Sequence, residues 1–552
     1  MNQGGAILKG AAAVATILKR EGVDCLFCFP VNAIIDAAAE VGIRPIMART
    51  ERTVVGMADG YSRVTNGRRI GVCAAQHGPG VENSFGGIAQ AYSDSSPILF
   101  LPGGVEQGRL GAEPNFDAVQ NYQHVTKWVA RVNQASRIPE FMRRAFTYLR
   151  MGRPGPVALE LPTDVTAASL DDDLVYRPVK GARIMADPAA VSTAAHALVA
   201  AKKPLIHAGG GVLHAEAWEE LRELAELLQA PVMTSLPGKS AFPEDHPLSV
   251  GSGGLAGPRP AARYLEESDL IFGVGASLSI SPFAAPIPMG KVAVQLTVDE
   301  RDLNKEYPLD HLLQGDAKLV LGQLIEEVKR QLGPEGRKGD DRVARQVKAL
   351  REEWLSEWMP KLTSNEVPIN PYRVIWDLQQ AVDLKNTIVT HDAGSPRDQV
   401  SPFWRALVPN SYIGWGKSTH LGYGLPLALG AKVAKPEKTV INIMGDAAFG
   451  MSGLEIETAA RNHIGTLTIL MNNSCLGGYE KHIPSATRLY GTRFLTGSYS
   501  KVAEGLGAYT ERVEKPEEII PAVGRALKVT ADGRPALLEI ITKEEIQLSK
   551  YW

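Results

Sequence analysis

Two apolar runs in this chain end on polar residues suited to holding a cation. Thr439 to Met444 leads into Gly445-Asp446-Ala447, and Thr466 to Met471 leads into Asn472-Asn473. Runs of that length read as buried strands, which deliver a carboxylate and an amide to strand ends that face a crevice. Ser452 to His463, between them, has helical periodicity and is expected to be a crossover helix, so the two strand ends should lie side by side. Asp446 and Asn473 can then share one ion. A hard cation such as magnesium wants oxygen ligands in near-octahedral geometry and binds through one or two protein groups plus phosphate oxygens and water. A third candidate residue, Glu51, stands in Ala48-Arg49-Thr50-Glu51-Arg52 ahead of a helix-like stretch, Val54 to Arg63. By its surroundings alone it is a surface glutamate paired with Arg49 or Arg52.

Taken together, these segments resemble those of the thiamine-diphosphate-dependent decarboxylase and carboligase superfamily. The segment Trp415-Gly416-Lys417-Ser418-Thr419-His420-Leu421-Gly422-Tyr423-Gly424-Leu425-Pro426 adds to the likeness. The nearest resemblance is to acetolactate (acetohydroxyacid) synthase large subunits and to cyclohexane-1,2-dione hydrolase. It implies thiamine diphosphate and Mg2+, with Asp446, Asn473 and the carbonyl of Cys475 as metal ligands. Gly394, Ser395, Gly445, Ala447, Ala448, Leu476 and Gly477 would surround the cofactor. Ala447 stands where many members carry glycine, and a backbone N–H beside diphosphate tolerates the methyl group. Glu51 would hydrogen-bond the aminopyrimidine ring. Thiamine diphosphate acts through its C2 carbanion, and a carboxylic acid at the far ring nitrogen promotes the imino tautomer that removes the C2 proton. Leu421 would bend the cofactor into a V, and the Thr419 carbonyl would accept from its amino group.

The elements that must position these residues fall into three blocks of alternating strands and helices, as in doubly wound parallel sheets. The expected fold is α/β with three such domains: pyrimidine-binding over 1–170, central over 187–332 and diphosphate-binding over 365–552. The charged segment Gly333 to Arg342 is the clearest linker. By the resemblance, the first and third blocks form a structural repeat, and the cofactor lies between the first domain of one subunit and the third of another. A homodimer is then the minimum and a homotetramer the expected assembly. In the central block, His207-Ala208-Gly209-Gly210-Gly211 and Gly273-Val274-Gly275-Ala276-Ser277 are glycine-rich strand ends. Such loops can cradle a pyrophosphate, and Asp299 could bind a ribose. Relatives hold FAD here, or ADP, or nothing.

The substrate pocket departs from the relatives. Gln76-His77-Gly78-Pro79-Gly80-Val81-Glu82-Asn83 resembles a synthase loop in which a small residue stands in place of His77. His77 could donate a hydrogen bond or exchange a proton, or simply hold the loop. Asn32, in Phe29-Pro30-Val31-Asn32, could orient a carbonyl or water but cannot titrate. Glu113 and Pro114 occupy the positions of a Phe-Gln pair. Gly478 stands in place of a methionine, and His482 falls near a substrate-selecting tryptophan, with Tyr479 between them. These changes enlarge the pocket or make it more polar. The expected reaction is C–C bond cleavage or carboligation on a 2-oxo acid or 1,2-dicarbonyl compound, with Glu51, His77 and Asn32 as catalytic residues. A 2-hydroxyacyl-CoA lyase related to oxalyl-CoA decarboxylase is the alternative, in which the Tyr551-Trp552 end could cover an active site. A non-catalytic relative would have lost cofactor residues that are present here.

The 552 residues are too many for one core and suit three or four domains. A hydrophobic content of 44% is that of a soluble globular protein, and a net charge of −2 supplies no argument for nucleic acid or membrane partners. Gly10 to Leu18, bracketed by Lys9 and Lys19, reads as an amphipathic first helix. The four cysteines point to a reducing, cytoplasmic compartment. Cys25 and Cys28 form a C-x-x-C spacing, but within an apolar strand and with no second pair, so neither zinc nor redox chemistry is expected.

Overall fold

The apolar runs become interior strands of three six-stranded sheets, each parallel throughout. The computed structural model describes residues 8–170 and 174–552. Positions 1–7 of the expected first domain lie outside the described residues, as do 171–173. The first sheet contains β1 (Cys25–Cys28), β2 (Arg44–Met47), β3 (Gly71–Ala75), β4 (Ile98–Gly104), β5 (Trp128–Arg131) and β6 (Val157–Pro162), in the order β2-β1-β3-β4-β6-β5. The central sheet contains β7 (Pro204–Ala208), β8 (Val232–Ser235), β9 (Ser249–Gly253), β10 (Leu270–Val274), β11 (Val292–Thr297) and β12 (His311–Gln314), in the order β9-β8-β7-β10-β11-β12. The third contains β13 (Thr387–His391), β14 (Tyr412–Ile413), β15 (Thr439–Gly445), β16 (Leu467–Asn472), β17 (Tyr509–Val513) and β18 (Ala536–Ile541), in the order β14-β13-β15-β16-β18-β17.

The first and third sheets therefore share one topology, the structural repeat expected between those blocks. Each has its switch point between its first and third strands, where loops leave in opposite directions and a crevice opens at the carboxyl ends. The central sheet instead has the strand order of dinucleotide-binding folds, with its switch point between β7 and β10. Strands absent from the sequence reading include edge strands whose apolar signal is weak: β2 carries Pro45, and β9 is a Ser/Gly run, Ser249-Val250-Gly251-Ser252-Gly253.

One expected element differs. The crossover from β15 to β16 is two helices, Asp446–Ser452 and Glu455–Asn462, rather than one beginning near Ser452. The first starts directly at the strand end, so Asp446 occupies its first turn, where a carboxylate suits the helix dipole. The linker after Gly333 joins the helix Ala317–Leu332 to a long helix, Arg342–Leu362, that leads into the third block.

Contacts divide the chain into two compact units. One comprises Met1–Ala182 with Leu425–Pro436 and Leu454–Ile464, and the other comprises Arg183–Gly424, Glu437–Gly453 and Gly465–Trp552. Two stretches of the third block thus belong with the first. The physical reason for one of them is a backbone-to-backbone helix crossing. A Cβ at Gly60, in the helix Glu51–Arg63, would lie 2.1 Å from the Leu427 carbonyl oxygen, and one at Gly430 would lie 1.9 Å from that of Met57. Only hydrogen fits at either position. Gly60→Ala is expected to destabilise this unit by roughly 1–3 kcal/mol or more, as overpacking does, read as a lower midpoint in chemical denaturation.

The second unit includes an unusual buried group. His207, on β7 between Met233 and Gly273 in register, is 7% exposed, and both ring nitrogens lack a hydrogen-bond partner among the described residues. Burial pushes its pKa from the ordinary 6.5 down to about 4. Between those values the unfolded chain binds a proton that the folded chain refuses, so stability falls as pH drops through that window. His207→Leu should therefore flatten the loss of denaturation midpoint between about pH 6.5 and about pH 4. An unchanged slope would show that the acid sensitivity arises elsewhere.

Candidate active site

Three adjacent strands of the third sheet converge on one point in the second unit. β13 ends in Asp392-Ala393-Gly394-Ser395, β15 in Gly445-Asp446, and β16 in Asn472-Asn473. Gly394 takes φ 82° to turn the chain into the helix Ser395–Phe403. A Cβ on Gly477 would lie 3.2 Å from Ser395 Oγ and 3.5 Å from Asn473 Nδ2, so the loop after β16 folds back over the end of β13. Asp446 is 3% exposed. Its Oδ1 accepts from the Ala447 amide at 2.8 Å, while Oδ2 is buried without a partner among the described residues. Burial raises its pKa, against which the Ala447 and Ser474 amides pull down, and the charge of Glu539 adds to the rise. A cation at Oδ2 would relieve both the desolvation and the empty acceptor.

Asn473 and Cys475 stand on the loop after the neighbouring strand β16. Asn473 Oδ1 accepts from the Cys475 amide at 3.1 Å, which bends the loop around the asparagine. The loop is also stitched to a second segment: the Leu476 amide donates to Arg493 O and the Leu495 amide to Ser474 O, both at 2.8 Å. This pairing leaves the Cys475 carbonyl out. Asn472, unassigned by the sequence reading beyond its place in the motif, sets the turn. Its Nδ2 donates to Glu539 Oε1 at 2.8 Å, and its Oδ1 accepts from the Ser474 amide at 3.0 Å. Glu539 is fully buried and also accepts from the Ser500 amide and hydroxyl at 2.9 and 2.6 Å.

The Leu421 segment is tied to the same place. Asp392, which the sequence reading missed, is buried. Its Oδ1 accepts from the Gly422 amide at 2.8 Å, and its Oδ2 accepts from the Gly424 amide at 2.9 Å. Trp415 Nε1 donates to the His391 carbonyl at 2.9 Å. Thr419 takes φ 39°, a left-handed conformation costly for a β-branched residue, between Gly416 at 138° and Gly422 at 81°. Such strain aims one carbonyl and presents the half-buried Leu421 side chain. Ala447, Ala448 and Leu476 follow from the same two loops. Farther along, the Gly478 amide donates to Glu544 Oε1 at 2.8 Å, and Arg493 closes on that carboxylate at 3.0 and 2.9 Å. Tyr479 and His482 are exposed, their rings 6.0 Å apart.

The first unit presents its own group at the switch point of the first sheet. Glu51 is the first residue of its helix, capped by Thr50, and is 6% exposed despite its charged neighbours. It is therefore not the surface ion pair that its local sequence allows. Asn83 Nδ2 donates to Glu51 Oε2 at 2.6 Å. Gly80 makes room for it, since a Cβ there would lie 3.1 Å from Glu51 Oε1. His77 is exposed on the loop after β3. Asn32 is spent on structure: its Nδ2 donates to Ala75 O at 3.0 Å and Leu101 O at 3.1 Å, and its Oδ1 accepts from the Ile34 amide at 3.0 Å. It thus ties the loop after β1 to the end of β3 and the middle of β4, a role not foreseen from its type. Glu113 is exposed and makes no hydrogen bond or ion pair among the described residues.

Two expected features take other forms. The central glycines are used by the fold itself, because a Cβ at Gly209 would lie 2.3 Å from Gly275 O and one at Gly211 would lie 2.7 Å from Gly275 Cα. Both oxygens of Asp299 accept from Arg301 Nε, at 3.0 and 3.2 Å. The aromatic end is seated on the central domain: Trp552 Nε1 donates to Gly254 O at 3.0 Å, and Arg259 lies 5.1 Å over the Tyr551 ring. Cys25, Cys28, Cys73 and Cys475 are free and buried.

Comparison with known proteins follows the same division. Family models match residues 8–130 (thiamine pyrophosphate enzyme, N-terminal TPP binding domain), 191–324 (central domain) and 392–540 (C-terminal TPP binding domain). A probable acetolactate synthase large subunit of Methanococcus aeolicus is 32% identical over 580 residues, covering 98% of this chain and 93% of that one. Glyoxylate carboligase of Escherichia coli O157:H7 is 30% identical, covering 98% and 94%, and sulfoacetaldehyde acetyltransferase of Alcaligenes xylosoxydans xylosoxydans is 30% identical, covering 95% and 91%. Glu544→Ala should release the Gly478 amide and Arg493 together. Faster amide hydrogen exchange over 476–482, with the rest of the third sheet unchanged, is the expected readout.

Proposed function

Because the chain belongs to the thiamine pyrophosphate enzyme family, we propose that it makes or breaks a C–C bond beside the carbonyl of a 2-oxo acid or 1,2-dicarbonyl compound. The cofactor supplies the electron sink for that chemistry when bound. The observation that carries the reading for this chain is the buried Asp446 oxygen without a partner among the described residues, at the end of a strand flanked by those that lead to Gly394-Ser395 and Asn473. In this reading Asp446, Asn473 and the Cys475 carbonyl hold Mg2+. Gly445, Ala447, Ala448, Leu476 and Gly477 would line the diphosphate, the Thr419 carbonyl would accept from the amino group, and Leu421 would pack beneath the cofactor. Glu51 would hydrogen-bond the aminopyrimidine and hold a proton at that atom. His77, exposed on the loop after β3, would exchange a proton with substrate, and Asn32 holds the strand end that precedes that loop. Glu113, Gly478, Tyr479 and His482 complete the pocket.

Carboligation is favoured over simple cleavage because the relatives are named synthase, carboligase and acetyltransferase. The 2-hydroxyacyl-CoA alternative gains nothing from the Tyr551-Trp552 end, which is held by Gly254 and Arg259. A non-catalytic role does not account for the presence together of Glu51, Asp446 and Asn473. A homodimer at least, and a homotetramer as the working assembly, in the cytoplasm, complete the proposal. For a nucleotide of the FAD or ADP class in the central domain, the support is the dinucleotide-type strand order and the polar chain at the end of β10. In that chain Lys417 Nζ donates to Ser277 Oγ at 3.0 Å, Ser277 and Ser279 hydroxyls lie 3.0 Å apart, and Lys305 Nζ donates to Ser279 Oγ at 2.8 Å. Against it stand the Asp299 carboxylate, occupied by Arg301, and the closely packed glycines. A mass spectrum of the small molecules released on denaturation decides between them.

Added thiamine diphosphate and magnesium should raise the melting midpoint, a stabilisation of about 2.7 kcal/mol at a hundredfold excess over the dissociation constant. Asp446→Asn should abolish the magnesium-dependent part. Glu51→Gln should lower turnover by about 10²–10⁴-fold, the span of a lost general acid, while cofactor binding persists. Pyruvate, a cyclic dione and a 2-hydroxyacyl-CoA assayed side by side identify the substrate class, and turnover of the CoA thioester alone would overturn the proposal.

A further inference from the structure

Glu455 has no part in the site as described, yet it is 1% exposed and is surrounded by donors. It opens the helix Glu455–Asn462, in the stretch of the third block that belongs with the first unit. The Arg49 amide donates to its Oε1 at 3.0 Å and to its Oε2 at 3.2 Å, the Thr53 hydroxyl donates to Oε1, and the Thr458 hydroxyl donates to Oε2 at 2.7 Å. Arg49 and Thr53 flank Glu51. The same helix grips the preceding strand end, with Arg461 Nη2 donating to Met47 O at 2.6 Å and Arg44 Nη2 to Asn462 O at 2.9 Å. Glu51 itself has a side-chain partner in Asn83 alone among the hydrogen bonds described above. Its backbone is therefore set from behind.

We infer that Glu455 is a positioning residue for Glu51, fixing the Arg49-Thr50 turn and the first helical turn so that the Glu51 carboxyl stands at the cofactor's ring nitrogen. The inference rests on the reading of Glu51 given above. A carboxylate suits the place because it only accepts, and each neighbour donates. Burial raises its pKa, and the Thr53 and Thr458 hydroxyls and the Arg49 amide pull it down. Glutamine has nearly the same shape but turns an NH2 toward one of those donors. The turn must then shift, and a displacement of about 1 Å at a catalytic group can cost about 10²-fold in rate. Because the helix follows the Asp446 loop in sequence, one connection carries both the metal ligand and the brace for Glu51.

The test uses the full chain loaded with thiamine diphosphate and magnesium and follows exchange of the cofactor's C2 proton into D2O by quenched-flow NMR. Cofactor affinity is measured by calorimetry, and folding by thermal melting. Glu455→Gln should slow exchange by about 10- to 100-fold with a far smaller change in affinity, and Thr53→Val should slow it in the same direction by less. In a Glu51→Gln background, Glu455→Gln should add nothing, the non-additivity of residues that act as one. Wild-type exchange in both Glu455→Gln and Thr53→Val overturns the inference, as does equal slowing of exchange by Glu455→Gln with and without Glu51. If Glu455→Gln fails to fold, Thr53→Val and Thr458→Val decide the question alone. Wild-type exchange in Glu51→Gln itself would overturn the reading of Glu51, and the inference with it. Slowed exchange in Glu51→Gln with none in the Glu455 and Thr53 variants overturns the inference and leaves the Glu51 reading standing.

Discussion

A carboxylate removed from water must be hydrogen-bonded, paired or bound to a cation, and the functional parts of this chain are arranged around that requirement. Glu455 meets it with two hydroxyls and a backbone amide, and Glu539 meets it with Asn472 and Ser500. Asp392 meets it with the amides of Gly422 and Gly424. Each satisfied carboxylate fixes a loop next to a strand or helix end. Asp446 alone in this set keeps a buried oxygen without a partner. Desolvation raises the pKa of that carboxyl, with the Ala447 and Ser474 amides pulling against it.

The repeated topology explains why such groups can collect where they do. In both the first and the third sheet, the direction in which successive strands are added reverses between two neighbouring parallel strands, so the loops part and leave their backbone ends open to a ligand. The first sheet places Asn32, Glu51 and His77 on the loops after β1, β2 and β3. The third places Gly394, Asp446 and Asn473 on those after β13, β15 and β16. The central sheet has a different order and different needs. Its glycines serve close packing of β7 against the turn after β10, and burial lowers the pKa of His207 on β7.

Legibility from sequence follows how local each signal is. The metal motif could be read because a carboxylate and an amide end two apolar runs within a single crossover. Glu51 was legible through its place before a helix, although its neighbours Arg49 and Arg52 argued for an exposed ion pair that the fold does not make. Asn32 was readable only by type. An asparagine at a strand end could face substrate, but two carbonyls from β3 and β4 lie within its reach and take its amide hydrogens. The single crossover helix expected near Ser452 was wrong at its start, since no periodicity marks Asp446 as a first helical residue. Asp392 carried no signal, as its partners lie thirty residues on, in a loop.

By itself the sequence determined three α/β blocks, the residues at their strand ends, and the cofactor class to which those residues belong. Apolar periodicity and strand-end polarity are properties of short segments, so they survive without knowledge of the fold. The tertiary structure alone decided which loops meet: Glu455 against Arg49 and Thr53, Glu539 behind Asn472, Asp392 beneath Gly422, Trp552 on Gly254. These contacts join residues tens to hundreds of positions apart, where geometry, not local pattern, determines which donor finds which acceptor.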